Sequence, residues 1–396
     1  MNSRERMAIA MAKGTPDRVP VMCQLALGHY FLNTDLGHVE IWHDTEAFAQ
    51  ALTTLQRRYG FDGILINLPG RDPEWRRQIR RTWEKDGETF IEWINGWVTK
   101  GPKDDNPHVY TDIEGEERYF PAFEEIDPDK LLYMDPHDIS AITYPYSWGF
   151  HGETAPVDRP EEFFPPWHFD TLRRVRELTK GEVSVHSEIF SPFSQMMEML
   201  NYANGLMALL EDPGKVHAIL DRLTEGAILL GGKYAEHGAD AVLVSSAFTG
   251  AGMISREHYE EFEQRYLRRV IEGIKRTRDI PVYVHTCGAI GDRLDLMEQA
   301  KLDGIDTLDP PPLGTVELPR AVELLGKRVF IKGNLDPVST VLDGTPDDVR
   351  RAARQRLEAA APGGAYILST ACSVAPASPP ENIMVLREMA ETEGKY

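Results

Sequence analysis

Short apolar runs rich in β-branched residues recur along this chain, each followed by a longer stretch of helical period, and that alternation admits few folds. The runs are VPVMCQ (19–24), DGILIN (62–67), EVSVHS (182–187), AVLVSS (241–246), VYVHTC (282–287), GIDTLD (304–309), RVFIKG (328–333) and YILSTA (366–371). Strands alternating with helices build parallel sheets, and apolar character on both faces fits burial beneath helices. Eight such units close as a (β/α)8 TIM barrel, an α/β fold whose active-site groups sit at the C-terminal strand ends. The whole chain, residues 1–396, is read as one such domain.

The helices between the runs carry their own boundary signals. Thr345-Pro346-Asp347-Asp348 opens a helix with an N-cap threonine and early carboxylates, and Gly363-Gly364 closes it. Ser378-Pro379-Pro380-Glu381 has the capping-box pattern before NIMVLREMAE, and Ser255 precedes a long amphipathic segment with acids early and bases late. One interval breaks the rhythm, residues 70–180, between the second and third strands. It holds the predicted hairpin TWEKDGETFIEWINGWVTK, turning at Asp86-Gly87, then a stretch rich in proline and aromatics. Six of the seven tryptophans fall there: Trp75, Trp83, Trp93, Trp97, Trp148 and Trp167. Disordered segments are poor in aromatics, so the interval is predicted to be an ordered insertion or lid over the barrel mouth.

Charge and cysteine usage remove whole classes of function. Lys and Arg number 43 against 63 Asp and Glu, a net charge of −20. Nucleic-acid affinity rests on cations that neutralise phosphates, so neither nucleic acid nor an anionic membrane surface is the expected partner. No apolar run reaches 18 residues, and the N-terminus lacks the apolar core of a signal peptide. Three cysteines in a chain of this size do not suggest a disulfide framework. A cytoplasmic, reducing location is expected, in which cysteines are catalytic, metal-binding or simply buried.

At the C-terminal ends of the eight runs stand Cys23, Asn67, His186 with Glu188, Ser245 with Ser246, His285 with Cys287, Asp309, Asn334 with Asp336, and Cys372. Barrel closure brings Cys372 to the same rim as His285 and Cys287. One imidazole and two thiolates make a tetrahedral set that suits zinc and leaves a fourth position open. The competing reading is packing, since cysteine is among the most buried residue types. Cys23, inside VPVMCQ, reads as core. Glu188 is the candidate fourth ligand or proton donor, against a plain N-cap or buried ion pair. Asn67, His186 and Asp309 are candidate substrate contacts, and Asn67 or Asp309 could instead orient His285. A core this large needs no metal staple, so a metal would be there for chemistry.

Several stretches resemble the uroporphyrinogen decarboxylase superfamily: GTPDRVPV (14–21), EDPGKVHAILDRLTEGAI (211–228), residues 238–270, KGNLDPVSTVLDGTPDDVR (332–350) and SPPENI (378–383). The likeness covers most of residues 14–395 and is weakest in the insertion. It implies a (β/α)8 barrel. Within that superfamily, H-x-C followed at long range by a cysteine marks the zinc-dependent, corrinoid-linked methyltransferases, which implies zinc on His285, Cys287 and Cys372. The metal-free decarboxylases carry arginines just after the first strand to hold a polyacidic tetrapyrrole. Here that place reads MCQLALGHYF, with no arginine, which makes decarboxylation a distant alternative.

Two chemistries fit an open zinc site. Zinc could polarise the oxygen of a methyl ether while a reduced corrinoid (cobalamin) takes the methyl, or hold a thiol as thiolate to accept a methyl from methyl-corrinoid. The aromatic insertion suits a flat donor such as a methoxylated aromatic, unless those rings are the insertion's own core. Barrel and insertion consume nearly the whole chain, so the corrinoid is expected on a separate partner protein. The oligomeric state is open, a homodimer included.

Overall fold

The structure is a computed structural model that describes residues 1–102, 104, 107–110, 120–134 and 160–396. In chain order its strands are β1 (Gly63–Ile66), β2 (Ile79–Lys85), β3 (Glu88–Trp93), β4 (Val98–Gly101), β5 (His108–Tyr110), β6 (Ser184–Phe190), β7 (Ala241–Ser245), β8 (Val282–Thr286), β9 (Gly304–Thr307), β10 (Phe330–Leu335) and β11 (Tyr366–Thr370). β1 and β6 to β11 form one parallel sheet in the order β1-β6-β7-β8-β9-β10-β11, so seven of the eight expected strands are present and each sits beside its sequence neighbour. The architecture is the TIM-barrel-like α/β fold.

The eighth stave departs from expectation. Residues 19–25 lie between β11 and β1 but are not a continuous strand; they make isolated bridges, Val21 with Leu368 and Leu25 with Val374. Met22 N donates to Leu368 O at 3.1 Å on one side, and Asp62 N donates to Val21 O at 2.7 Å on the other. The ladder is irregular for two reasons. Pro20 has no N–H to give, and Val21 N–H is taken by the Asp62 side chain at 2.9 Å. That carboxylate is fully buried and also accepts from Arg6 at 2.8 Å and from Arg18 at 2.9 and 3.0 Å. Two guanidinium groups therefore compensate its burial and lock the N-terminal segment to the barrel.

Inward residues fill the barrel in layers. Met22, Leu65, Leu243, Tyr283, Phe330 and Ile367 cluster with Met7 and Met11 from the helix Ser3–Met11, which closes the end where the strands begin. Gly304 is required in this layer: a Cβ there would stand 2.3 Å from the Phe330 ring. With that end packed, chemistry is left to the other end.

The insertion carries an antiparallel sheet in the order β2-β3-β4-β5. Asp86 and Gly87 have φ of 55° and 82°, the paired positive values a type I′ hairpin turn needs. Trp93 is buried, donates to Thr99 Oγ1 at 2.8 Å and meets His43 edge-on; Trp75 lies over the same imidazole at 5.3 Å. These rings pack the insertion onto the helix His38–His43. Trp83 stacks on Phe90 within the sheet. Trp148 lies outside the described residues.

Thr345 caps the helix Pro346–Ala360 in a reciprocal box with Asp348, and Ser255 caps the helix that starts at Arg256. That second helix is interrupted by a π segment, Glu260–Gln264, before continuing as Arg265–Thr277. Ser378 does not cap: the helix Pro380–Thr392 starts from Pro379, and Ser378 Oγ is buried without a hydrogen-bond partner. Two consecutive prolines push the helix start beyond the serine's reach.

Candidate metal centre

Strand alternation aims Tyr283, His285 and Cys287 to the inside of the barrel. β8 ends at Thr286, so Cys287 leaves the strand end, and Gly288 with φ of 79° turns the chain away. Cys372 lies two residues past β11, where Thr370 Oγ1 donates to its carbonyl at 2.6 Å and tightens the turn. His285 Nε2 stands 3.3 Å from Cys287 Sγ and 3.9 Å from Cys372 Sγ, and the two sulfurs are 3.7 Å apart. Among the described residues this is the one cluster of three or more metal-ligating groups. Tetrahedral bonds of about 2.3 Å to sulfur and about 2.05 Å to nitrogen would separate the sulfurs by about 3.8 Å and set the nitrogen about 3.6 Å from each. The three side chains therefore fit a zinc ion without rearrangement.

The remaining ring nitrogen is held from behind. His285 Nδ1 is 3.2 Å from Asp306 Oδ2, and Asp306 Oδ1 accepts from Lys332 Nζ at 2.8 Å and from Thr307 N at 2.9 Å. His285, Asp306 and Lys332 are level on adjacent strands β8, β9 and β10. A carboxylate behind the imidazole fixes its orientation and leaves Nε2 as the ligand atom. Sequence reasoning assigned this orienting role to Asn67 or Asp309 and missed Asp306 and Lys332. The signal was available: a lysine in the middle of an otherwise apolar strand, RVFIKG, demands a buried partner.

Charges within the cluster are strongly coupled. Burial works against protonating His285, but Asp306 and Cys372 outweigh it and raise the imidazole to about 10. Hydrogen bonds from Cys287 and His285 hold Cys372 well below the usual thiol range, whereas the bond to Cys372, together with burial, pushes Cys287 up. Cys372 is thus pushed toward thiolate and His285 toward its protonated form, and taking a metal there would release the protons held by His285 and Cys287.

The other candidates are distributed unevenly. Glu188 lies on the inner face of β6 and is 8% exposed. His186, two residues below it, is fully buried, bonded to Ser184 Oγ at 3.0 Å and to Tyr283 Oη at 2.8 Å. Burial lowers it to about 4, so it is a neutral group of the barrel interior. Asp309 accepts from Gly288 N at 2.6 Å and braces the loop after Cys287; burial raises its carboxyl. Asn67 follows β1 and keeps a buried Oδ1 with no hydrogen-bond partner. Cys23 is buried in the apolar layer between strands and helices, and burial raises its thiol.

The family described as Uroporphyrinogen decarboxylase (URO-D) matches residues 148–392. The chain is 29% identical over 234 residues to a uroporphyrinogen decarboxylase of Thioalkalivibrio sulfidiphilus, covering 57% of this chain and 64% of that one. It is 23% identical over 247 residues to a methylcobamide:CoM methyltransferase of Methanosarcina barkeri, covering 62% of this chain and 69% of that one. The chain spans less than two thirds of the length of the decarboxylases it matches first. A solved methyltransferase from Methanosarcina mazei superposes with a TM-score of 0.71 at 16% identity, covering 99% of this chain and 98% of that one, which shows a shared fold.

Proposed function

This chain belongs to the uroporphyrinogen decarboxylase family, and we propose that it is a zinc-dependent methyltransferase that works with a corrinoid protein. One observation carries the reading: the separations of 3.3, 3.7 and 3.9 Å among His285, Cys287 and Cys372, which match three corners of a zinc tetrahedron. A metal-free decarboxylase has no use for that cluster, and MCQLALGHYF offers no arginine for a polyacidic substrate.

Zinc on these ligands supplies Lewis acidity at its open position, toward the oxygen of a methyl ether such as a methoxylated aromatic. Asp306 keeps the His285 ring in register. Glu188, on the same inner end of the barrel, gives a proton to the leaving oxygen. A reduced corrinoid, when docked, would supply the nucleophile for the methyl group, and the oxygen would keep the electron pair of the C–O bond. The corrinoid is carried by a separate protein that docks at the C-terminal mouth, since Met7 and Met11 fill the other end.

A second reading runs toward a thiol acceptor, and the methylcobamide:CoM methyltransferases among the relatives favour it. A thiol that accepts a methyl needs no acid, so Glu188→Gln separates the two. A large loss of kcat with little change in zinc content supports the ether reading, and an unchanged kcat supports the thiol. Zinc analysis, with methyl transfer assayed in the presence of corrinoid protein, tests the whole proposal. Full turnover without zinc, or without corrinoid, would refute it.

A further inference from the structure

The segment that carries Cys287 past the end of β8 is wedged between the loops that follow the flanking strands, β7 and β9. On the β7 side, Ser246 N donates to His285 O at 2.8 Å, and Ala251 N donates to Ala289 O at 2.7 Å. Between those two bonds Gly250 comes down on the ligand itself: a Cβ there would stand 2.6 Å from Cys287 O. On the β9 side, Asp309 accepts from Gly288 N at 2.6 Å, and a Cβ on Gly314 would stand 2.7 Å from Gly288 O. Backbone meets backbone on both flanks, a close approach that glycine permits and a side chain would prevent.

Two facts set Gly250 apart from an ordinary loop glycine. Its φ does not lie in the left-handed region, so the space around it, not its own backbone, calls for glycine. Gly252, two residues on in the same loop, has nothing within 4 Å of its Cβ position. The loop is also held too firmly to step aside. Gly250 O accepts from Met253 N at 2.9 Å and from Ile254 N at 3.1 Å. Arg293, fully buried, donates to Thr249 O at 2.7 Å and to Ile254 O at 3.2 Å. Thr249 Oγ1 lies 2.9 Å from Ser246 Oγ, which donates to the buried carboxyl of Glu263 at 2.6 Å.

We propose that Gly250 is a positioning residue for the metal: its bare Cα lets the β7 loop bear on the Cys287 carbonyl and hold that ligand in place beside His285 and Cys372. This deepens the zinc reading and rests on it. Ordinary van der Waals contact begins at 3.4 Å, so with the loop held, a methyl on Gly250 drives Cys287 O back by about 0.8 Å. Ligand distances in a zinc site tolerate only about 0.2 Å. A single methyl group, outside the cluster and without charge, is therefore enough to spoil the site.

The test compares native protein, Gly250→Ala and Gly252→Ala by chelator competition for zinc and by cobalt(II) absorption, with urea unfolding of the metal-stripped forms to confirm that each is folded. Gly250→Ala is expected to bind zinc about 10–100-fold more weakly and to shift the sulfur-to-cobalt charge-transfer band. Gly252→Ala should match native protein in both. Should Gly250→Ala fail to fold, Thr249→Val carries the test: it keeps the side-chain volume, frees the loop from Ser246 and should weaken zinc severalfold. Native affinity with an unshifted band in Gly250→Ala, or in Thr249→Val where it stands in, overturns the grip, as does an equal loss in Gly252→Ala. Either result leaves the zinc reading standing as long as native protein takes up the metal. Native protein that takes up neither zinc nor cobalt removes the zinc reading and the grip together.

Discussion

Lys332 Nζ lies 2.8 Å from Asp306 Oδ1, and both side chains are almost wholly buried inside the barrel. The other oxygen of the same carboxylate faces His285 Nδ1. One aspartate thus balances a lysine and steers an imidazole, so stability and metal binding meet in a single residue. A buried ion pair adds little net stability, but removing one partner leaves an uncompensated charge.

Lys332→Met is therefore expected to cost about 3–5 kcal/mol, because Asp306 stays behind unpaired. Adding Asp306→Asn should recover part of that loss. Urea unfolding of the metal-stripped proteins measures both, and a double variant no better than the single would contradict this account. Asp306→Asn alone should weaken zinc binding by about 10–100-fold in chelator competition.

Metal content should separate ligands from a packing cysteine. Cys372→Ala and His285→Ala are expected to lose zinc, while Cys23→Ala keeps it and loses only packing. Elemental analysis of folded, purified variants decides the matter. Zinc retained in Cys372→Ala would exclude that residue as a ligand.

Glu263, in the π segment, provides a pH test away from the metal. It is fully buried and accepts from Ser246 Oγ at 2.6 Å and Ser191 Oγ at 3.1 Å; burial raises it from 4.5 to about 7. Between those values the folded chain holds a proton that the unfolded chain has released, so stability falls as pH rises. The contribution is fully present below pH 4.5 and lost as pH passes through about 7. At pH 8 the loss approaches ~3 kcal/mol. Glu263→Gln should therefore gain on the native protein between pH 5 and pH 8 in urea unfolding. A difference that does not change with pH would show that the carboxyl does not titrate there.

Caps offer a smaller contrast. Thr345→Ala removes a reciprocal box and should cost about 1 kcal/mol. Ser378→Ala removes a hydroxyl that caps nothing and should change stability by less than about 0.5 kcal/mol. Thermal unfolding of the pair resolves the difference.

How far the sequence was legible follows from what each signal measures. The parallel strands and the hairpin at Asp86-Gly87 could be read because burial and turn chemistry are local properties. The cluster of His285, Cys287 and Cys372 could be read because closing a barrel gathers strand ends on one rim. The first stave misled because Asp62 competes for the Val21 N–H from far along the chain. Asp306 stayed hidden because its partners lie on neighbouring strands, and level pairing appears only once register is known. Asp309, at the expected strand end, was one of two candidate orienters and instead braces a loop.

The seam between residues 19–25 and β11 has a consequence for synthesis. Val21 meets Leu368, so the earliest stave to leave the ribosome can be seated only after nearly the last has followed it. Until then the nascent sheet has two raw edges, β1 and whichever strand was made most recently, and such edges invite pairing with other chains. The clamp of Arg6 and Arg18 on Asp62 answers half of that hazard, since all three residues are available early and can hold the N-terminal arm near β1 while it waits.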